Sequence, residues 1–522
     1  MGRALGRSAL SKAAHTPEAK ADMAALAHGG RLNFFGFVMR LIARLPFLFI
    51  AGRSYGPEAL GRFAYAVLIV ELAAQLATVG LKRGLAQQLA NTDRPHACIV
   101  ADAMFVATFG SLVGMLILGS FPVAMFPNSE IHGLEWLLPV TVLAIAWTDI
   151  SLAALAYRND VGATVRARSV VEPWTISIVA FAWSYISLRD GLIIAYVISM
   201  VAAMIAAIVP LARSYGVPNG WRPDVPLAWR TARRNFPLAA ADAVEWGSRR
   251  IDIAMLGLFL SPTYVGIYYV AQQVASLPAK LKTSFEPVLG PAIARGIAAE
   301  DYKGVAKQVA QVGFWILAAQ AGIALALGIP GRAVMALVGA KFTGGTAMLA
   351  FLLAAEVTAA TAVVSEAALI YVARHRNMII SLAMLALEAA LSVALIVAMR
   401  RAGWPLAWQA TGPAVALTLS LGFASIAKSR LLSTTLGARV SGWRYDLLWA
   451  AAAGIAVGIP VRLLLPPLAQ LIVGIPAIMT AFGAVLWTKG FGPEDRLLFR
   501  MNKDEVEEMQ LPAPGTAPDS PS

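Results

Sequence analysis

Arg249 and Arg250 stand side by side in DAVEWGSRRIDIAMLGLFLSPTYVGIYYVAQQVASLP, residues 242–278, a stretch otherwise apolar enough to sit in a membrane. Asp242, Glu245 and Asp252 surround them. On a helix, Asp242, Glu245, Arg249 and Asp252 are spaced three, four and three and share one face. Glu245 then reaches Arg249 at i,i+4, and Asp252 reaches it at i,i+3. Arg250 falls about 100° away, with no such partner in its own helix. One charge at a bilayer centre costs roughly 2.5–3.5 kcal/mol, so five in one stretch require a reason. Guanidinium groups are planar, bidentate donors suited to phosphate, and one reading is a diphosphate site. The other is a clasp in which Glu245 and Asp252 neutralise Arg249 and nothing is bound. Asn33, Gly36, Arg40 and Arg44 form a second polar stripe by the same spacing. Arg40 has the alternative of snorkelling to an interface. Across both helices four arginines face three acids, a mixed site with a cationic bias.

Further acids fall in apolar runs: Glu71, Asp149, Glu356, Glu366 and Glu388. Such groups mark ion or proton pathways by default. Asp149, within AIAWTDISLAAL, is the leading candidate for ion coupling, with Glu71, Glu356 and Glu366 behind it; the alternative is a hydrogen-bonded contact between helices. The five histidines show no metal-ligand spacing, and Cys98, the sole cysteine, excludes an intrachain disulfide. No nucleotide-binding loop or nucleophile motif is visible, so neither catalytic residues nor a cofactor nor a metal is expected.

These residues must be positioned by membrane helices. Of 522 residues, 58% are hydrophobic and 14% charged, against about 25% charged in soluble proteins. Fourteen apolar runs approach the roughly 20 residues that cross a bilayer: 33–52, 63–82, 98–120, 135–157, 171–188, 191–212, 236–260, 264–282, 309–330, 346–371, 378–399, 405–427, 446–465 and 468–488. The net charge of +13 comes from Lys and Arg scattered through short loops, the pattern that sets membrane orientation and not a nucleic-acid footprint. With the N-terminus inside, 31 of the 43 Lys and Arg residues fall on the cytoplasmic side and eight outside, so both termini are expected in the cytoplasm. The first 30 residues lack the apolar core of a signal peptide. The final segment, KDEVEEMQLPAPGTAPDSPS, has the composition of a disordered tail. Most of the tryptophans fall near span ends, where belt anchoring accounts for them.

Residues 44–66, RLPFLFIAGRSYGPEALGRFAYA, match residues 249–271, RRIDIAMLGLFLSPTYVGIYYVA, at a shift of 205. Arg44 falls on Arg249, Pro57 on Pro262, Gly61 on Gly266 and Ala66 on Ala271. Tyr157 falls on Tyr371 at a shift of 214. Six spans separate the copies, an even number, so the repeats are parallel, and transporters place substrate between such halves. GPEALGRFAYA with SPTYVGIYYVA, followed by LVGAKFTGGTAML (337–349), resembles the polysaccharide-transporter branch of the multidrug/oligosaccharidyl-lipid/polysaccharide exporter superfamily, the Wzx-type flippases. The resemblance covers about residues 33–488 through loose motifs of small and apolar residues. It implies an all-α polytopic membrane protein with two six-helix lobes around a central cavity and two further C-terminal helices. It also implies export of a polyprenyl-diphosphate-linked sugar unit across a bacterial inner membrane.

The expected organisation is a tail (1–32), an N-lobe (33–212), a basic linker (213–235), a C-lobe (236–427), two added helices (428–488) and a cytoplasmic tail (489–522). In the linker, WRTARRN reads as a basic segment on the anionic inner leaflet. Expected partners are the lipid-linked oligosaccharide, membrane lipids, and a polysaccharide polymerase with its assembly proteins. Arg40, Arg44, Arg249 and Arg250 are the candidate substrate-binding residues, with Asp242, Glu245 and Asp252 as cavity ion pairs. O-antigen, capsule and exopolysaccharide units remain open as cargo. A cation-coupled exporter of drugs or small molecules is the competing reading. A membrane enzyme is a third, but such enzymes commonly need a sizeable external loop or a soluble domain, and neither is present.

Overall fold

The computed structural model describes residues 45–91, 94–131, 133–247, 250–279, 290, 293–294 and 296–492. Regular structure among the described residues is helical throughout. The principal helices are α1 (Gly56–Ala77), α2 (Leu81–Ala90), α3 (His96–Ser120), α4 (Thr141–Tyr157), α5 (Glu172–Trp183), α6 (Gly191–Tyr215), α7 (Val225–Gly247), α8 (Ile251–Phe259) and α9 (Pro262–Ala279). They continue as α10 (Tyr302–Gly328), α11 (Gly331–Val338), α12 (Thr346–Val372), α13 (Arg374–Arg401), α14 (Gly412–Leu436), α15 (Asp446–Leu464) and α16 (Ile475–Val485).

Among the described residues, ten helical stretches are long and apolar enough to cross a membrane. Fourteen were expected from hydropathy, and the differences are local. Much of run 33–52 lies outside the described residues. Run 171–188 becomes a 12-residue helix entered through a wide turn, Val165–Val171. Run 236–260 is divided between α7 and α8, and run 264–282 carries Gln272, Gln273 and Ser276 within α9. Large side chains such as Leu116 (71% exposed) and Leu464 (80%) point outward, a surface suited to hydrocarbon and not to water.

The chain divides into two compact units, one of Met1–Lys280, Gly331–Glu356 and His375–Ala424, the other of Leu281–Pro330, Val357–Arg374 and Ser425–Ser522. In the first, α1 is entered at Gly56 with φ +81°, a left-handed conformation that favours glycine, and Pro57 occupies the first turn, where a missing N–H is harmless. Pro262 opens α9 in the same way. The two helices touch backbone to backbone: a Cβ added to Gly61 would lie 2.7 Å from the Gly266 nitrogen, and one added to Gly266 would lie 2.9 Å from the Gly61 nitrogen. Each would be closer still to a carbonyl oxygen, that of Pro262 for Gly61 and that of Pro57 for Gly266. Small residues one turn apart permit this approach. The residues paired by the 205-residue shift thus meet each other across the crossing.

In the second unit, Phe314, Leu317, Val364, Leu369, Leu432 and Phe482 belong to one buried cluster. Arg444 stacks on Phe314 with its guanidinium carbon 3.8 Å from the ring centre, and donates to the Gly490 carbonyl at 2.8 Å. A Cβ on Gly442 would lie 2.8 Å from the Phe314 nitrogen, so this loop also packs backbone to backbone.

Candidate functional site

The site residues are brought together by the approach of α2 to α7. Gly80 (φ +72°) turns the chain from α1 into α2; a Cβ there would lie 2.6 Å from the Ala239 nitrogen, and one on Gly84 would fall on the Asn235 side chain. These two glycines, four residues apart, let α7 lie against α2. Lys82 and Arg83 are adjacent, so they leave α2 about 100° apart and reach different neighbours. Arg83 Nε donates to Asp242 Oδ1 at 2.6 Å, and its Nη2 pairs with Glu245. Asp242 and Glu245 share a face of α7 at i,i+3. Lys82 Nζ lies 3.4 Å from Asp149, which also pairs with Arg168. Arg168 Nη1 in turn reaches Glu172 at 2.9 Å. Arg250 Nη1 pairs with Glu71 at 2.7 Å and lies over the Trp246 ring at 5.8 Å.

A second cluster is acidic. Asp252, 1% exposed in the first turn of α8, accepts from Tyr268 Oη at 2.7 Å, from Gln272 Nε2 at 3.1 Å and from the Ile253 N–H at 2.8 Å. Tyr268 and Gln272 sit one turn apart on α9. Glu388, on α13, is fully buried, and neither carboxyl oxygen has a hydrogen-bond partner among the described residues. It lies within electrostatic range of Asp252 and Tyr268. No described Lys or Arg pairs with either carboxylate. Buried charges are ordinarily paired, and these two carboxyl groups have no cation against them among the described residues.

The sequence candidates therefore separate. Asp242 and Glu245 pair with Arg83, Asp149 with Lys82 and Arg168, and Glu71 with Arg250, three groups of ion pairs, while Asp252 belongs to the acidic cluster. Glu366 accepts from the buried Lys428 at 3.1 Å in the second unit, and Glu356 is half-buried on α12. Arg40, Arg44 and Arg249 lie outside the described residues, and with them the expected Glu245–Arg249 and Asp252–Arg249 pairs. Lys82 and Arg83 stand at the end of apolar run 63–82, where nothing in composition separates them from the other Lys and Arg residues near span ends; the local signal is the glycine pair Gly80 and Gly84 around them. Tyr268 and Gln272 carried no signal beyond their i,i+4 spacing.

Away from α2, the ends of α1, α8 and α9 are tied to the segment between α3 and α4. Asn128 Nδ2 donates to the Gly257 and Leu260 carbonyls at 2.7 and 3.1 Å. Glu135, 1% exposed, pairs with Arg62 and lies 3.5 Å from Arg189. Arg400 donates to the Phe259 carbonyl at 2.8 Å.

A bundle of long apolar helices, two of them crossing on glycine and others joined by ion pairs, is the architecture of a multi-span membrane protein. The chain belongs to the family described as polysaccharide biosynthesis protein, whose model matches residues 51–317. Among solved structures, the fold is similar to that of a lipid II flippase MurJ in an inward closed conformation, with TM-score 0.65 and 11% identity over 88% of this chain and 99% of that one. It is also similar to an inward-facing multidrug resistance MATE family transporter, with TM-score 0.61 and 12% identity over 76% of this chain and 94% of that one. A MATE crystallised in complex with MaL6 aligns with TM-score 0.54 and 12% identity over 79% and 96%. No curated protein sequence matches the chain.

Proposed function

We propose that the protein is a flippase moving a polyprenyl-diphosphate-linked oligosaccharide across the bacterial inner membrane by alternating access, for O-antigen, capsule or exopolysaccharide assembly. The observation that carries this reading is that Arg83 and Arg250 are held by carboxylates while remaining 49% and 39% exposed. A diphosphate offers the same bidentate acceptor geometry as the carboxylates. It can take Arg250 from Glu71 and Arg83 from Asp242 and Glu245, and the acids recover the arginines when the cargo leaves. Arg40, Arg44 and Arg249 complete the proposed site. The halves 33–212 and 236–427 rock about the linker 213–235, with 428–488 as added helices and 489–522 as a tail. The Lys/Arg bias puts the Arg83 clamp at the cytoplasmic end, with both termini, and the Gly61–Gly266 crossing at the opposite end. Polymerase and assembly proteins would receive the cargo there. Coupling is assigned to Asp252 and Glu388 in preference to Asp149, which already holds two cations.

A second reading, a cation-coupled exporter of small molecules, is favoured by that same carboxyl pair. Deleting the gene separates the two. The flippase reading expects loss of one surface polysaccharide with its lipid-linked precursor accumulating inside. Intact surface glycan with raised drug sensitivity would support the exporter, and arrest of precursor synthesis would point to an enzyme.

A further inference from the structure

Helix α7 has three faces. Asn235, Ala239 and Asp242 are buried within the unit. Val225, Trp229 and Phe236, exposed by 66, 70 and 66%, fall within about 40° of one another around the axis. Beside them, over the next half-turn of the circumference, stand Arg233, Arg230 and Arg234, all exposed. None of the three has an ion-pair partner among the described residues. Asp224, the nearest acid, caps the helix instead, accepting from the Leu227 N–H at 3.0 Å.

Water does not favour an exposed Trp and Phe at helical spacing, and hydrocarbon does not tolerate three unpaired guanidinium groups. A membrane interface accepts both at once. We propose that the N-terminal half of α7 is a docking surface for the headgroups of anionic phospholipid, with Val225, Trp229 and Phe236 in the acyl boundary and the three arginines on the phosphates. The occupant follows from charge complementarity next to an apolar face. The surface is distinct from the three groups of ion pairs and does not depend on what the protein carries. It does reach one of them mechanically: Asp242, which holds Arg83, lies six residues beyond Phe236, roughly 9 Å along the axis.

The test is native mass spectrometry of the full-length protein equilibrated with phosphatidylglycerol, phosphatidylcholine, or both. Wild type should retain phosphatidylglycerol in preference, and less of it as salt rises. At about fivefold per arginine, the R230Q/R233Q/R234Q variant should bind it on the order of a hundredfold more weakly. The Lys triple variant should retain it, since a point charge suffices at a headgroup. Trp229→Ala with Phe236→Ala should weaken retention of phosphatidylglycerol while leaving its salt dependence. The control R374Q/R376Q/R439Q removes the same charge from exposed positions elsewhere and should bind as wild type. Equal retention by wild type and R230Q/R233Q/R234Q, or equal loss in the control, would overturn the proposal. So would an acidic protein that leaves with the same three arginines while lipid retention stays constant.

Discussion

The reciprocal crossing of α1 and α9 permits a quantitative test. Alanine at Gly61 puts a methyl 2.7 Å from the Gly266 nitrogen, and alanine at Gly266 puts one 2.9 Å from the Gly61 nitrogen. On helix propensity alone each change would stabilise by about 0.8–1.0 kcal/mol. The opposing atoms are backbone, however, so no rotamer change relieves the clash. The axes must part by more than the roughly 1 Å that would bring the nitrogen contacts near 3.5 Å, because the Pro262 and Pro57 carbonyl oxygens stand closer still to the new methyls. Overpacking of this kind costs about 1–3 kcal/mol, and parting also loosens the buried Leu60, Ala64, Val265 and Tyr268. The clash outweighs the propensity, and each single variant should lose about 1–2 kcal/mol net. Once the helices have parted, the second methyl finds room. The double variant should therefore lose clearly less than the sum, with a coupling of at least about 0.5 kcal/mol. Thermal unfolding in detergent reads this as a fall of a few degrees in Tm for each single variant and little more for the double. Gly119→Ala, with nothing within 4 Å of the new methyl, should equal or exceed wild type. Additive losses, or a gain in both single variants, would refute the reciprocal contact.

Arg250→Ala should abolish export of surface glycan while the protein still accumulates, and Arg250→Lys should restore it in part, because an ammonium keeps the charge but loses the fork; full export by the alanine variant would remove Arg250 from the site. Glu71→Gln should leave Arg250 without its acid and tighten a prenyl-diphosphate probe in a binding assay, with slower turnover. Glu388→Gln keeps shape and removes the ionisable group, so reconstituted transport should lose its response to an imposed proton or sodium gradient without losing Tm. A reporter fused after Lys489 should be active only as a cytoplasmic reporter, following the Lys/Arg bias.

Composition made the fold class legible, because runs of apolar side chains near bilayer length have few other uses. The Pro57/Pro262 and Gly61/Gly266 repeat was legible too, and it fell where the backbones touch, since contact that close excludes every side chain larger than hydrogen. The partners of the charged residues were not. Helical spacing reports neighbours within one helix, and it directed Glu245 and Asp252 toward Arg249. Glu245 pairs with Arg83, 162 residues away in sequence, and Asp252 bonds to Tyr268 and Gln272 on the next helix, while Arg249 itself lies outside the described residues. Lys82 and Arg83 carried a signal that resembled an ordinary loop boundary. The isolation of Glu388 is a property of what surrounds it, and nothing in EAALSVALI announces that.

If the chain carries an anionic headgroup, as proposed, the pairing of Arg83, Lys82, Arg168 and Arg250 with carboxylates bears on how it can return empty. An unpaired arginine within the bilayer would cost roughly 2.5–3.5 kcal/mol in the unloaded state, a penalty that would recur on each cycle for each arginine. Internal carboxylates remove it, at the expense of affinity, because cargo must compete with Glu71 and with the Asp242–Glu245 pair. Weak net binding suits a carrier that has to release on the far side. The Arg83 clamp adds a consequence, since Asp242 and Glu245 belong to α7 and Arg83 to α2. On the proposed reading, a diphosphate that takes Arg83 also unties the two helices, so binding and opening draw on one contact. Arg83→Gln should then open that end of the bundle without cargo. Cysteine labelling near Asn235 should accelerate in the variant and, in wild type, only when a prenyl-diphosphate probe is added. Labelling that is unchanged in the variant would separate the clamp from gating.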